Sequence, residues 1–449
     1  MKISFISLGC DKNLVDTEMM LGMLSEHGHE IVNDESEADV AVVNTCSFIS
    51  DAKAESINTL IEMGNLKTAG KLKGIVAAGC LAQRYSKEIR EQIPEVDEIV
   101  GTLSTDDIVA AVDEIEKGGR REFLKPIDGP LVYGKKRIVT TGGHYAYLKI
   151  AEGCNKHCTY CAIPSFRGHF RSVPMEVLID EARTLCENGV KELILVAQET
   201  TLYGMDLYGE KKLSELLHKL SEIESLWYIR LLYCYPEEID DNLIEEMATN
   251  KKICHYIDMP IQHASDDILK RMGRKTGNAD LRNVIARLRK AMPDIAIRTT
   301  LITGFPGETK KDVDILKNFV KEMRFDRLGV FTYSREDNTA AAKMKKQIPM
   351  WLKKKRRDGV MKIQQQIAFE KAKSETGKTL SVMVEGRMPD DSSPDKQVYA
   401  CRTYKDAPEV DGFLFLETDK ELMTGDVVTV TVTGAREYDL TGVIKYESA

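Results

Sequence analysis

Eight residues constrain this chain more than any others: Cys154-Asn155-Lys156-His157-Cys158-Thr159-Tyr160-Cys161. Three thiolates on one short loop can ligate three irons of a four-iron, four-sulfur cube and hold it from one side. The fourth iron then has no protein ligand. The amino and carboxylate groups of S-adenosylmethionine can chelate it, so that one electron cleaves the C–S bond and releases a 5′-deoxyadenosyl radical. A zinc site would pair two such cysteine units, and no partner pair lies at the expected distance. His157, inside the loop, reads as a solvent-facing residue rather than a fourth ligand. The loop directly follows a strand-like run, Tyr145-Ala146-Tyr147-Leu148-Lys149-Ile150.

The surrounding pattern says what carries that loop. From residue 1 to about 120, strand-like runs (Phe5-Ile6-Ser7-Leu8, Val40-Ala41-Val42-Val43, Gly74-Ile75-Val76-Ala77-Ala78) alternate with helical periodicity at 14–27 and 51–65. This alternation predicts a doubly wound parallel sheet. Lys117-Gly118-Gly119-Arg120-Arg121 opens an expected linker to about 140. From 140 to 375, strand-like runs begin near Tyr145, Glu192, Tyr228, His255, Ala296 and Arg327, with helical patterns such as 174–188 and 311–324 between them. Six strand–helix units predict an open, partial (β/α) barrel whose chemistry sits at the strand C-termini. A charged helix over 352–375 closes this segment, and its run Lys353-Lys354-Lys355-Arg356-Arg357 reads as a solvated face. Over 378–449 the period changes to two, as in Val428-Thr429-Val430-Thr431-Val432-Thr433, which predicts a small antiparallel β-barrel.

Three further cysteines fall at the ends of the three N-terminal strands: Cys10, Cys46 and Cys80. Their intervals of 36 and 34 residues each fit one βα unit. Parallel strands deliver their C-terminal ends to one edge, where ligands bind in open α/β folds. Three thiols there can hold a second cluster with one open iron, whereas three unrelated buried cysteines would act only as small hydrophobes. Cys186 reads as core, and Cys234, Cys254 and Cys401 have no partner spacing. Ten cysteines in a chain whose first strand leaves no room for a signal peptide, and which has no apolar run of membrane-spanning length, point to a cytoplasmic protein with metal-bound rather than disulfide-bonded thiols.

The cysteine triplet with an aromatic before its last member resembles the radical S-adenosylmethionine superfamily. That resemblance implies that Tyr160 lies against the adenine, that Gln198 and Glu199 contact the methionine amino group, and that Arg298 and the Gly304 turn touch the cofactor. Over the whole chain the resemblance is to the methylthiotransferase family, with a cluster domain at 1–120, a radical domain at 140–375 and a C-terminal TRAM barrel at 378–449. It is carried by Ser7-Leu8-Gly9-Cys10-Asp11-Lys12-Asn13-Leu14-Val15-Asp16, Asn44-Thr45-Cys46-Ser47-Phe48-Ile49 and Cys161-Ala162-Ile163-Pro164-Ser165-Phe166-Arg167-Gly168, together with Met259-Pro260-Ile261-Gln262-His263 and Tyr404-Lys405-Asp406-Ala407-Pro408-Glu409. Asp11 stands where a proline is common, and Asn338-Thr339-Ala340 lacks the usual proline.

The resemblance implies two [4Fe–4S] clusters and S-adenosylmethionine used as both methyl donor and radical source, with no side chain needed as general acid or base. It points to the branch that modifies an aspartate β-carbon of small-subunit ribosomal protein S-twelve, with reduction by a flavodoxin- or ferredoxin-type donor. A sister branch modifies an adenosine of transfer RNA. Residues 378–449 carry 14 acidic and 8 basic residues, a net of −6 out of −8 for the chain, which suits a basic protein better than RNA. An iron–sulfur electron carrier would need neither the barrel nor open irons. A nucleic-acid-binding protein with structural metal would show basic–aromatic stretches in the last segment, and these are absent.

Overall fold

The computed structural model describes residues 1–389 and 397–445. The remainder of the expected C-terminal barrel segment, 390–396 and 446–449, lies outside the described residues. The N-terminal sheet has six parallel strands: β1 (Lys2–Ser7), β2 (Glu30–Val32), β3 (Val40–Thr45), β4 (Gly74–Ala78), β5 (Glu98–Val100) and β6 (Glu122–Phe123), in the order β2-β1-β3-β4-β5-β6. Its helices are α1 (Asp11–Glu26), α2 (Ser50–Thr68), α3 (Gly79–Arg84), α4 (Ser86–Gln92) and α5 (Ile108–Glu116).

The sheet is covered on both faces because successive strand residues point opposite ways. Val40 and Val42 meet Met20 and Leu24 of α1 and Ala111 and Val112 of α5. Ala41 and Val43 meet Leu60 and Met63 of α2 on the other face. The doubly wound expectation holds, with two corrections. The interval from Cys10 to Cys46 is not a plain βα unit, since the short edge strand β2 lies within it. The expected linker at Lys117 begins later, because β6 pairs with β5 beyond it.

The central sheet is also all parallel: β7 (Tyr145–Lys149), β10 (Glu192–Val196), β11 (Tyr228–Leu231), β12 (Ile253–Asp258), β13 (Ala296–Thr303) and β14 (Arg327–Thr332), ordered β14-β13-β12-β11-β10-β7. Between the first two, β8 (Ala151–Glu152) and β9 (Arg171–Ser172) form a small antiparallel pair that brackets the cysteine loop. Leu178, Leu216, Leu288 and Leu316 from the flanking helices share one core with Leu148, Leu195 and Leu301 of the strands. The outer strands β7 and β14 do not pair, so the barrel is open, as expected.

The long helix Met350–Ser374 differs from its sequence reading. Lys353 is buried and its Nζ donates to the Tyr333 carbonyl at 2.7 Å, while Arg356 donates to Glu308 Oε2 at 3.1 Å. Part of the basic run therefore faces the barrel instead of water. A flexible four-carbon stem lets a lysine do this without losing its hydrogen bonds.

The last unit is a closed barrel of β15 (Thr379–Met388), β16 (Gln397–Thr403), β17 (Leu414–Thr418), β18 (Val427–Arg436) and β19 (Asp439–Ile444), ordered β15-β16-β17-β19-β18. Period-2 patterning holds: Val382, Val384, Val430 and Val432 point inward. The barrel is not wholly antiparallel, because β17 and β19 run parallel. Alternating patterning specifies faces and leaves the relative direction of two strands open.

A buried ion pair fastens this barrel to the central sheet. Arg230 Nε donates to Glu192 Oε1 at 2.7 Å, and Arg402 of β16 faces Glu192 Oε2 at 2.8 Å. Burial alone would push the Glu192 carboxyl up, but the two guanidinium groups hold it down at about 2. A depressed carboxylate contributes stability above its unfolded value of about 4.3 and loses it as pH falls toward the folded value. Acid titration of the cluster-free chain should therefore release this contact between about pH 4 and pH 2. Glu192→Gln should remove that acid-dependent part and lower resistance to urea by about 3–5 kcal/mol.

Candidate metal and cofactor site

Cys10, Cys46 and Cys80 stand beyond the ends of β1, β3 and β4, three neighbouring strands. Cys10 caps α1, Cys46 follows β3 directly, and Cys80 lies in the first turn of α3. Two glycines make the close approach possible. Gly9 has φ +98°, and a Cβ there would sit 2.7 Å from Cys46 Cβ; Gly79 has φ +87°, and a Cβ would lie 2.1 Å from Asn44 Oδ1. Asn13 ties the edge together: its Nδ2 donates to the Leu8 and Thr45 carbonyls at 3.0 Å, and its Oδ1 accepts from Cys80 Sγ at 3.5 Å. The Cys80 thiol senses Cys10 and Cys46 electrostatically, and the Cys46 thiol senses Cys10.

The loop carrying Cys154, Cys158 and Cys161 is held at its start and in its middle. Cys154 N–H donates to the Gly168 carbonyl at 3.2 Å, Thr159 N–H to Met272 at 2.9 Å, and Ala341 N–H to Thr159 at 2.8 Å. Tyr235 Oη lies 3.9 Å from Cys158 Sγ. His157 is exposed, as its place in the loop predicted.

All ten cysteines are free. Burial pushes the Cys80 and Cys161 thiols up to about 12 and Cys154 to about 11. Thiolates in such surroundings need a cationic partner, which an iron cluster provides. Among the described residues, neither triad closes to within the 4.8 Å at which ligand atoms could clasp one ion. Both donor sets fit a cluster.

One side chain, given no role by sequence reasoning, joins the two triads. Arg167, six residues past Cys161, is 2% exposed. Its Nε and Nη2 lie 3.2 Å from Cys80 Sγ, and its Nη1 donates to Asp16 Oδ2 at 2.8 Å and Glu152 Oε2 at 3.0 Å. Lys149 adds a second cation, 3.0 Å from Glu152 and paired with Asp16. Burial would raise the Glu152 carboxyl, but Arg167 and Lys149 hold it at about 2. The only sequence signal for Arg167 is its place in the 161–168 stretch that carries the family resemblance.

A small cavity of about 100 Å³, open to solvent, lies between the two edges. Phe48 and Ile49, just past Cys46, form one wall; Tyr160, Cys161 and Ile163 form another; Thr300 and Ile302 of β13 and Phe331 of β14 form the third. Ser334–Glu336 beyond β14 dock on the N-terminal sheet, with Lys53 Nζ 2.7 Å and Arg84 Nη1 3.1 Å from Glu336 Oε2.

The expected cofactor contacts divide into groups. Tyr160 lines the cavity. Glu199 is buried, its carboxyl pushed by burial up to about 7, and its Oε2 has no hydrogen-bond partner, with Lys156 Nζ 3.7 Å away. That orphaned oxygen suits an incoming ammonium. Gln198 is already committed: it accepts from Gly153 N–H at 2.9 Å and donates to Glu152 at 2.6 Å, holding the start of the cysteine loop. Arg298 lies deeper on β13, facing Asp258 at 3.6 Å and Asp411 at 3.9 Å. The Gly304 N–H is bonded to Glu308, and Lys353 covers its α-carbon face, where a Cβ would meet Cγ at 2.3 Å.

Comparison with known proteins agrees along the length of the chain. Residues 2–101 match the uncharacterized protein family UPF0004, 148–320 the Radical SAM superfamily and 376–444 the TRAM domain. The ribosomal protein uS12 methylthiotransferase RimO of Lachnoclostridium phytofermentans is 59% identical over 442 residues, covering 98% of this chain and 99% of the relative. The chain belongs to the RimO family of radical SAM methylthiotransferases.

The proteins so named from Thermoanaerobacter and Acetivibrio thermocellus are each 48% identical, over 98% and 100% of this chain and 99% of each relative. Among solved structures, the radical SAM methyltransferase TsrM of Kitasatospora setae superposes with TM-score 0.55 at 13% identity, covering 88% of this chain and 80% of that one, a likeness of fold. Family membership makes the chain a radical SAM enzyme whose cofactors are two [4Fe–4S] clusters and S-adenosylmethionine. Arg167→Met should leave Asp16 and Glu152 buried beside Lys149 alone. Urea denaturation of the cluster-free chain should show a loss of about 3–5 kcal/mol, whereas an exposed control such as Arg183→Met should change stability by less than about 0.5 kcal/mol.

Proposed function

We propose that the chain adds a methylthio group to the β-carbon of an aspartate in ribosomal protein uS12, with Cys154, Cys158 and Cys161 holding the cluster that binds S-adenosylmethionine and Cys10, Cys46 and Cys80 holding the second. The observation that carries this reading is that residues next to both triads, Phe48 beyond Cys46 and Tyr160 beside Cys161, wall the same cavity. When bound, the two clusters and S-adenosylmethionine supply the electron, the radical and the sulfur group.

The chain's own residues orient and shield. The Glu199 oxygen left without a partner takes the ammonium of the methionine moiety, and Tyr160 offers a flat face to the adenine. Phe48, Phe166 and Phe331 make the cavity wall apolar. Arg167 places a fixed positive charge 3.2 Å from Cys80 and favours its thiolate. The net charge of −6 in residues 378–449 supports a basic protein substrate over transfer RNA, since electrostatic complementarity selects partners of opposite charge. The reading includes a cytoplasmic setting, where a flavodoxin- or ferredoxin-type protein is the reductant.

Anaerobic reconstitution of three proteins tests the reading. The wild type should hold about eight irons per chain, and a Cys10→Ala/Cys46→Ala/Cys80→Ala variant about four. That variant should still release 5′-deoxyadenosine but add no methylthio mass to uS12. Cys154→Ala/Cys158→Ala/Cys161→Ala should do neither. A methylthio gain on transfer RNA with none on uS12 would overturn the substrate, and wild-type activity in either variant would overturn the ligand assignment.

A further inference from the structure

A second group of metal-ligand side chains lies at the opposite end of α1 from Cys10. His27, His29 and Asp113 each offer one ligand atom, and the three atoms lie within 4.8 Å of one another. His27 Nε2 is 3.5 Å from Asp113 Oδ2, and His29 Nε2 is 3.6 Å from Asp113 Oδ1. Ligand atoms about 2.0–2.1 Å from a tetrahedral zinc stand about 3.3 Å apart, so only a small closure separates these residues from a coordination shell.

The backbone presets this arrangement. His27 and His29 flank Gly28, which has φ +90° and turns the chain at the end of α1. The N–H groups of His27, Gly28 and His29 donate to the Met23, Ser25 and Leu24 carbonyls at 3.1 Å each. The backbone around both histidines is thereby set beside α5, which supplies Asp113. The His29 side chain is 8% exposed. Its Nδ1 faces the N-terminal amine at 3.4 Å, and its Nε2 is buried without a hydrogen-bond partner. A buried ring nitrogen turned toward a carboxylate and a second imidazole, and engaged in no hydrogen bond, is placed to give its lone pair to a metal, releasing its proton where it carries one.

We infer that His27, His29 and Asp113 form a site for a divalent transition metal of the zinc class, separate from both cysteine triads. Two imidazoles and one carboxylate are the donor set that zinc accepts, with a fourth position for water. The site lies one length of α1, about 25 Å, from Cys10. It joins three elements, namely the end of α1, the start of β2 and the outer face of α5. A bound ion would therefore clamp the edge of the sheet whose other end carries Cys10, and would have no part in the radical chemistry.

The test uses the full chain with both clusters reconstituted, so that the thiols are occupied, and zinc ion alone as probe. Calorimetric titration followed by dialysis and metal analysis should give one zinc per chain. His27→Gln and Asp113→Asn, both at partly exposed positions, should each weaken binding at least tenfold and together abolish it. Iron content and 5′-deoxyadenosine release should stay at wild-type levels, and the exposed control His218→Gln should bind as wild type. The inference is overturned if the wild type retains no zinc, if the two variants bind it undiminished, or if zinc uptake tracks iron loss, which would place the ion on the cysteines.

Discussion

A single buried guanidinium holds this architecture together. Arg167 leaves the cysteine loop of the central sheet and ends against Cys80 and Asn13 of the N-terminal sheet, with Asp16 and Glu152 as counterions. A charge so buried is tolerated because every side of it is paired. Its partners come from α1 and α3 of the N-terminal unit and from β8 of the central one, so the pairing also fixes how those units face each other. A hydrophobic contact of the same area would permit sliding, whereas a guanidinium fork with two carboxylates and a thiol has one arrangement.

The rest of the site follows from two parallel sheets meeting edge to edge. Parallel strands send all their C-terminal ends the same way, so β1, β3 and β4 deliver three thiols to one rim, and β7 with its following loop delivers three more to another. Arg167 and the docking of Glu336 on Lys53 and Arg84 keep those rims opposed, and the space left between them is the cavity walled by Phe48, Tyr160 and Phe331. The barrel is tied on from behind through Glu192, away from the rims.

How much of this was legible in the sequence depended on the range of the interaction. The six cysteines announced themselves through spacing and through strands with a strong apolar signature, such as Val40–Thr45. Strands of two or three residues, β2, β5 and β6, are too short to show any period and were not seen. Lys353 looked like solvated charge because a basic run does not reveal which member turns inward; the Tyr333 carbonyl that receives it is twenty positions away. The packing of Lys353 over Gly304 has no local sequence pattern either. Arg167 could be quoted as part of a matching stretch, but its partners Asp16 and Cys80 are 151 and 87 residues distant in the chain. The parallel pairing of β17 with β19 likewise lies beyond what alternation encodes.

The central claim is that both cysteine triads hold clusters that look into one shared cavity. Electron paramagnetic resonance of the fully reduced wild type, compared with the two triad variants, tests it most directly. Two clusters facing each other across that cavity should couple magnetically, so the wild-type spectrum should not equal the sum of the single-cluster spectra. Simple additivity of the two would place the clusters too far apart to share a substrate and would contradict the account.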